Sequence, residues 1–239
     1  MKKLFLLLLS VGMLSSCVFN DLFKYSAEIE DGTDPNFDEY PGMNINDDPL
    51  EGELFELPED MYITMIFGEQ NQREEEDQDE ELKITGDMYG SGLCVIVTLE
   101  ITNDNSKDIS LRLPAGLMVQ SASSSYQNGI LVKDVIIPVK ANKTRSVSVR
   151  FYCLNVDAHG SDSGSEYALA YITNVKAFEP LFNVCAGKKV NIDEYKTSGI
   201  LKYYSTSILV QEIVWAITRG KTFTEAEIQK YMKHVKKSK

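Results

Sequence analysis

The stretch Ser146-Val147-Ser148-Val149-Arg150-Phe151-Tyr152-Cys153 alternates in character almost residue by residue. A β-strand sends successive side chains to opposite faces, so Val147, Val149, Phe151 and Cys153 share one face while the serines and Arg150 point the other way. Cys153 thus faces a core at the end of its strand. Outward from this stretch the same period recurs. Val95, Val97, Leu99 and Ile101 alternate with Ile96, Thr98 and Glu100, and Ile109, Leu111 and Leu113 alternate with Ser110 and Arg112. Met61 to Phe67, Ile130 to Val139 and Arg145 to Leu154 complete a series of strands at hairpin spacing. Asn103-Asp104-Asn105-Ser106 and Gln127-Asn128-Gly129 supply the turns, the second because Gly129 tolerates positive φ. A β-sandwich or barrel is expected over residues 60–155.

Beyond it the pattern changes. Tyr167 to Val190 mixes apolar and polar residues without a clean period and reads as short helix and loop. Thr206 to Arg219 is apolar around most of a helical wheel, with Gly220 placed to stop it. Thr224 and Glu227 form a capping box ahead of a helix from Ala226 to Val235. The fold class is therefore mainly β with C-terminal helices, an α+β chain whose residues 156–239 form a mixed, largely helical part.

The N-terminus carries a different message. Lys2 and Lys3 precede an apolar core from Leu4 to Leu9, and Leu14-Ser15-Ser16-Cys17 closes it as a small-residue site ending in cysteine. This resembles a bacterial lipobox, so residues 1–16 are expected to be a lipoprotein signal peptide and Cys17 the lipidated first residue of the mature protein. The apolar stretch is shorter than the ~20 residues a membrane span needs. Acyl chains contribute about 0.8 kcal/mol per buried methylene, so several on one cysteine anchor stably. The place implied is extracytoplasmic and lipid-anchored, at the outer membrane, and the acidic stretch after Cys17 hints at export to the outer surface.

Charge divides the mature chain. From Cys17 to Leu82 there are 22 acidic residues against Lys24 and Arg73, whereas from Lys83 to Lys239 there are 14 acidic against 20 basic. Residues 17–59 hold too little apolar content to offset their ordering entropy and are expected to be an acidic flexible tether, leaving 60–239 as the globular domain. The run Arg73 to Glu81 carries seven carboxylates but lacks the glycine turn and alternating ligands of a calcium loop, so it reads as a solvated, self-repelling segment. Lys230, Lys233, Lys236, Lys237 and Lys239 lack aromatic interleaving, which argues against nucleic acid and for a solvated helix end.

Two short stretches point to chemistry: Phe151-Tyr152-Cys153-Leu154-Asn155, and Val210-Gln211-Glu212-Ile213-Val214-Trp215. Together they resemble the paired signatures of the bacterial thioester domains, with Val210 at the family's threonine position and Ile213 at its alanine position. The resemblance spans the C-terminal half of the chain. It implies that Cys153 attacks the side-chain amide of Gln211, expels ammonia and leaves an internal thioester. It also implies a partner: a lysine amine on a host or neighbouring surface protein.

Helical geometry fits that chemistry. Leu209, Val210, Ile213, Val214 and Ile217 define a buried arc, and at about 100° per residue Gln211 lies roughly 60° from Val214, at the margin between core and solvent. A thioester there is shielded from water yet open to an amine, with Phe151, Tyr152 and Trp215 as candidate shields and Asn155 as a candidate for positioning the strand end. Once Cys17 is lipidated, Cys94, Cys153 and Cys185 remain. One disulfide among them leaves one sulfur over. Cys94 with Cys185 would spare Cys153, although Cys153 could take either partner.

The same residues allow other functions. A non-covalent binding or structural lipoprotein needs neither the sulfur nor the amide. A cysteine hydrolase needs a histidine base, and only His159, in a turn-like Asp157-Ala158-His159-Gly160 setting, and His234 exist. Metal-ligand spacing, phosphate-cradling glycine loops and nucleophile-elbow patterns are absent from the sequence. Neither enzymatic turnover nor a cofactor is expected.

Overall fold

The computed structural model describes residue 29 and residues 37–69, 87–195 and 199–238. The strands are β1 (Glu53–Leu54), β2 (Met61–Gly68), β3 (Met88–Gly90), β4 (Val95–Asn103), β5 (Ile109–Leu113), β6 (Leu117–Ser121), β7 (Gly129–Ile130), β8 (Val135–Val139), β9 (Lys143–Cys153) and β10 (Tyr167–Ile172). The helices are α1 (Glu179–Ala186), α2 (Ile200–Thr218) and α3 (Glu225–Tyr231). Eight strands form one curled sheet in the order β1-β10-β6-β7-β9-β4-β2, with β3 joined in parallel to β9, while β5 and β8 make a separate antiparallel pair. The molecule is a mainly β half-barrel closed by C-terminal helices.

Strand β9 is the axis of this arrangement because both of its faces are covered. Val147, Val149, Phe151 and Cys153 enter a core shared with Val95, Val97, Leu99 and Ile101 of β4 and with Leu111, Leu113, Val135, Ile137 and Val139 of the β5–β8 pair. Tyr152 and Leu154, one step out of phase, enter a second core with Phe178, Leu181, Leu209, Val210, Ile213, Val214 and Ile217 of the helical part. The period of two in one strand thus builds two cores, and burial of each large apolar side chain stabilises the fold by about 1.5–3 kcal/mol.

Several boundaries differ from those the sequence suggests. The expected strand Ile130 to Val139 is split into β7 and β8, because residues 131–134 turn the chain from the large sheet to the small one. Tyr167 to Ile172, expected as helix or loop, is strand β10, paired on both edges with β1 and β6. Helix α2 starts six residues before Thr206, after Gly199, and buries Ile200, Tyr203 and Tyr204 in its early turns. The capping box at Thr224 and Glu227 forms, with the Thr224 side chain accepting from the Glu227 N–H, but α3 ends at Tyr231 rather than Val235.

The largest correction concerns the acidic tether. Residues 37–59 are packed onto the domain: Met43 and Leu50 are 1% and 2% exposed in the helix-side core. The Asn44 N–H donates to the Leu154 carbonyl at 2.8 Å, and Val156 N–H donates to Asn44 O at 3.3 Å. At the other end Phe37 lies over Gly220, whose φ is +90° and whose added Cβ would come 2.4 Å from the Phe37 ring. Isolated apolar side chains in an acidic segment find a core when backbone pairing brings them to it, which average composition does not reveal. Cys17, residues 1–16 and the acidic run Arg73 to Glu81 lie outside the described residues.

Candidate functional site

The ladder between β4 and β9 pairs Val95 with Phe151, and two residues further its register would set Leu93 opposite Cys153. It stops short because the chain turns away at Gly92, whose φ is +126° and whose added Cβ would lie 2.0 Å from the Phe151 carbonyl oxygen. Only glycine accepts that approach. The edge of Cys153 on that side therefore lacks a strand partner, and the carboxamide of Gln211 takes its place. The Cys153 N–H donates to Gln211 Oε1 at 2.9 Å, and Gln211 Nε2 donates to the Cys153 carbonyl at 2.9 Å. A side-chain amide stands in for the next peptide unit of the sheet, satisfying two buried backbone groups that would each cost about 1–3 kcal/mol unpaired.

Helix α2 delivers that amide because its wheel straddles the two cores. Leu209, Val210, Ile213 and Val214 face the helix-side core, whereas Trp215, one turn after Gln211, packs against the core that holds Cys153 and Phe151. Gln211 is 9% exposed, so it sits deeper than the solvent margin expected for it. Ile213 is fully buried among helix-side residues, so its extra bulk relative to alanine is accommodated away from the sulfur.

The remaining candidates divide by face. Phe151 shares the Cys153 core, and the Trp215 indole N–H, although buried, has no hydrogen-bond partner. Tyr152 projects into the opposite core and does not cover the sulfur. Asn155 accepts from the Asn128 N–H at 2.8 Å and donates to Gly42 O at 3.1 Å, tying the end of β9 to the loop before β7 and to the N-terminal segment. His159 is exposed in a loop whose backbone pairs with Ser125 and Gln127.

All three described cysteines are thiols, so the Cys94–Cys185 disulfide is not made. Cys185 is buried in the helix-side core, with burial pushing its thiol up to about 12. Cys94, just before β4, is exposed and shares a hydrogen bond with the buried Cys153 thiol. That bond, and then burial, hold the Cys153 thiol well above its ordinary range. Sequence reasoning did not single out Cys94 as the neighbour of Cys153; the one available signal was its position at the start of a strand antiparallel to β9. Tyr167 of β10 lies nearby, its hydroxyl donating to Gln127 O at 3.2 Å.

The arrangement places a carboxamide flat against the backbone of a cysteine, its carbonyl oxygen held by that residue's N–H and its nitrogen by the carbonyl. Attack on an amide carbon moves charge onto the oxygen, and an N–H already bonded to it is the donor such an intermediate requires. Comparison of the chain with protein-family models, curated proteins and solved structures found no match.

Proposed function

We propose that this protein is a membrane-anchored surface lipoprotein that captures an amine covalently through a thioester between Cys153 and Gln211. The observation that carries the reading is the doubly hydrogen-bonded seat of the Gln211 carboxamide on Cys153. In the first step Cys153 Sγ attacks Gln211 Cδ while Oε1 stays on the Cys153 N–H. The thiol proton leaves with the amide nitrogen as ammonia, and an S–C bond replaces the C–N bond. In the second step a lysine amine attacks the same carbon, the C–S bond breaks, an amide joins the partner to Gln211 and the Cys153 thiol is restored. Each molecule acts once, so this is capture rather than turnover.

Intact mass of the purified domain tests the reading. A thioester lowers the mass by one ammonia, methylamine adds to it, and Cys153→Ala or Gln211→Ala abolishes both effects; a mass equal to the encoded sequence, with no adduct, overturns it. A second reading, a non-covalent binding lipoprotein, is favoured by the contact between the Cys94 and Cys153 thiols. There the Gln211 amide only completes the sheet, and the mass is that of the encoded sequence before and after methylamine.

A further inference from the structure

Arg150 pairs with Ile96 of β4 and Gly90 of β3, and its side chain projects from the β9 face opposite Cys153, beneath the first half of α2. It is 2% exposed, and its Nε and Nη1 have no hydrogen-bond partner. Among the described residues no carboxylate forms an ion pair with it. A buried guanidinium without a counter-charge is costly to the fold.

The groups around it are hydroxyls, each able to donate and to accept. Ser91, next to Gly90, donates its N–H to the Arg150 carbonyl at 3.0 Å, but its hydroxyl is buried and unpartnered. Ser207 of α2 and Tyr152 of β9 are likewise buried; neither hydroxyl has a partner of good hydrogen-bond geometry, although Tyr152 interacts with both serines and Ser207 also with Tyr203. Tyr152 faces both serines, and burial holds its phenol protonated well past the ordinary range. Tyr203 completes the wall, its hydroxyl donating to Gly92 O at 2.8 Å. Four buried residues on β9, the β3–β4 turn and α2 thus bring N–H and O–H groups to the same side of β9.

We propose that Arg150, with the hydroxyls of Ser91, Ser207 and Tyr152, binds a small inorganic monoanion of the halide class, chloride in ordinary solution. An ion accepts from every donor at once and balances the guanidinium charge. Near-zero exposure of all four residues suits an ion of that size over a larger oxyanion. The inference does not depend on the thioester.

Two measurements test it on the intact folded protein. In crystals soaked in bromide, an anomalous peak in contact with the Arg150 guanidinium is expected. In solution, replacing gluconate by chloride at constant ionic strength raises the wild-type thermal midpoint by about 3 °C per tenfold chloride above saturation. Arg150→Met, which keeps the apolar stem, shows no chloride dependence, and Ser207→Ala shifts the half-effect to higher chloride. Equal chloride slopes in wild type and Arg150→Met overturn the proposal, as does density holding only water or a carboxylate of this chain beside Arg150. A bromide peak without a chloride-dependent midpoint marks binding at soak concentration only and also overturns it.

Discussion

Cys153 and Arg150 lie three residues apart on β9 and face opposite cores, yet their polar surroundings differ in kind. At Cys153 supply matches demand: one N–H and one carbonyl meet one carboxamide. At Arg150 two guanidinium nitrogens have no partner, and no carboxylate among the described residues pairs with them. The contrast teaches that a buried polar site can be completed from within the chain or left for something else to complete, and the balance of donors and acceptors tells which.

The sharpest way to break the comparison is at Gln211. Gln211→Ala removes the proposed acyl donor, so the ammonia deficit and the methylamine adduct expected of a thioester should be absent from its mass spectrum. It also strands two backbone groups of Cys153, and denaturant unfolding of the variant is expected to lose about 3 kcal/mol.

Alkaline pH tests the helix-side core next. The Cys185 thiol titrates near its ordinary range when unfolded but only at about 12 when folded, because burial disfavours the thiolate. The unfolded chain therefore gives up its proton first. The contribution is intact below about pH 9 and is lost as pH rises toward about 12, an upper limit of about 4 kcal/mol. Cys185→Ala flattens that part of the pH–stability curve; an unchanged curve refutes the assignment.

Two substitutions then ask whether the faces are independent. Ile213→Ala empties part of the helix-side core and is expected to cost about 3 kcal/mol while leaving the mass deficit of one ammonia in place. Gly92→Ala forces a Cβ onto the Phe151 carbonyl beside both sites, and a comparable loss of stability should come with loss of both the ammonia deficit and the chloride response. The smallest effect is expected at Asn155→Ala. Losing its bonds to Asn128 and Gly42 should cost about 2 kcal/mol and speed hydrogen exchange at the end of β9.

What the sequence disclosed follows from how local each signal is. The alternation of Ser146 to Cys153 separates the two faces of β9 from the residues alone, and Ile109 to Leu113 is a strand with the bounds its pattern indicates. Strand β10 was hidden because Tyr167-Ala168-Leu169-Ala170-Tyr171-Ile172 is apolar on both faces and owes its conformation to β1 and β6. The proximity of Gln211 to Cys153 was read from a family resemblance, not from spacing: 58 residues separate them, and only tertiary packing joins them. Cys94 beside Cys153, and Arg150 under α2 rather than merely turned away from the cysteine, were out of reach for the same reason. Each depends on where a ladder stops or which helix covers a strand, and neither is written in a local period.

The N-terminal segment touches two places at once. Asn44 is bonded to the strand end that carries the sulfur, and Phe37 rests on Gly220, just past the helix that carries the amide. Tension drawn along the chain upstream of Phe37 would accordingly be divided between the strand that carries Cys153 and the helix that carries Gln211. Under the proposed covalent capture, such parallel loading would spread the mechanical strain of a flowing environment before it reaches the bond.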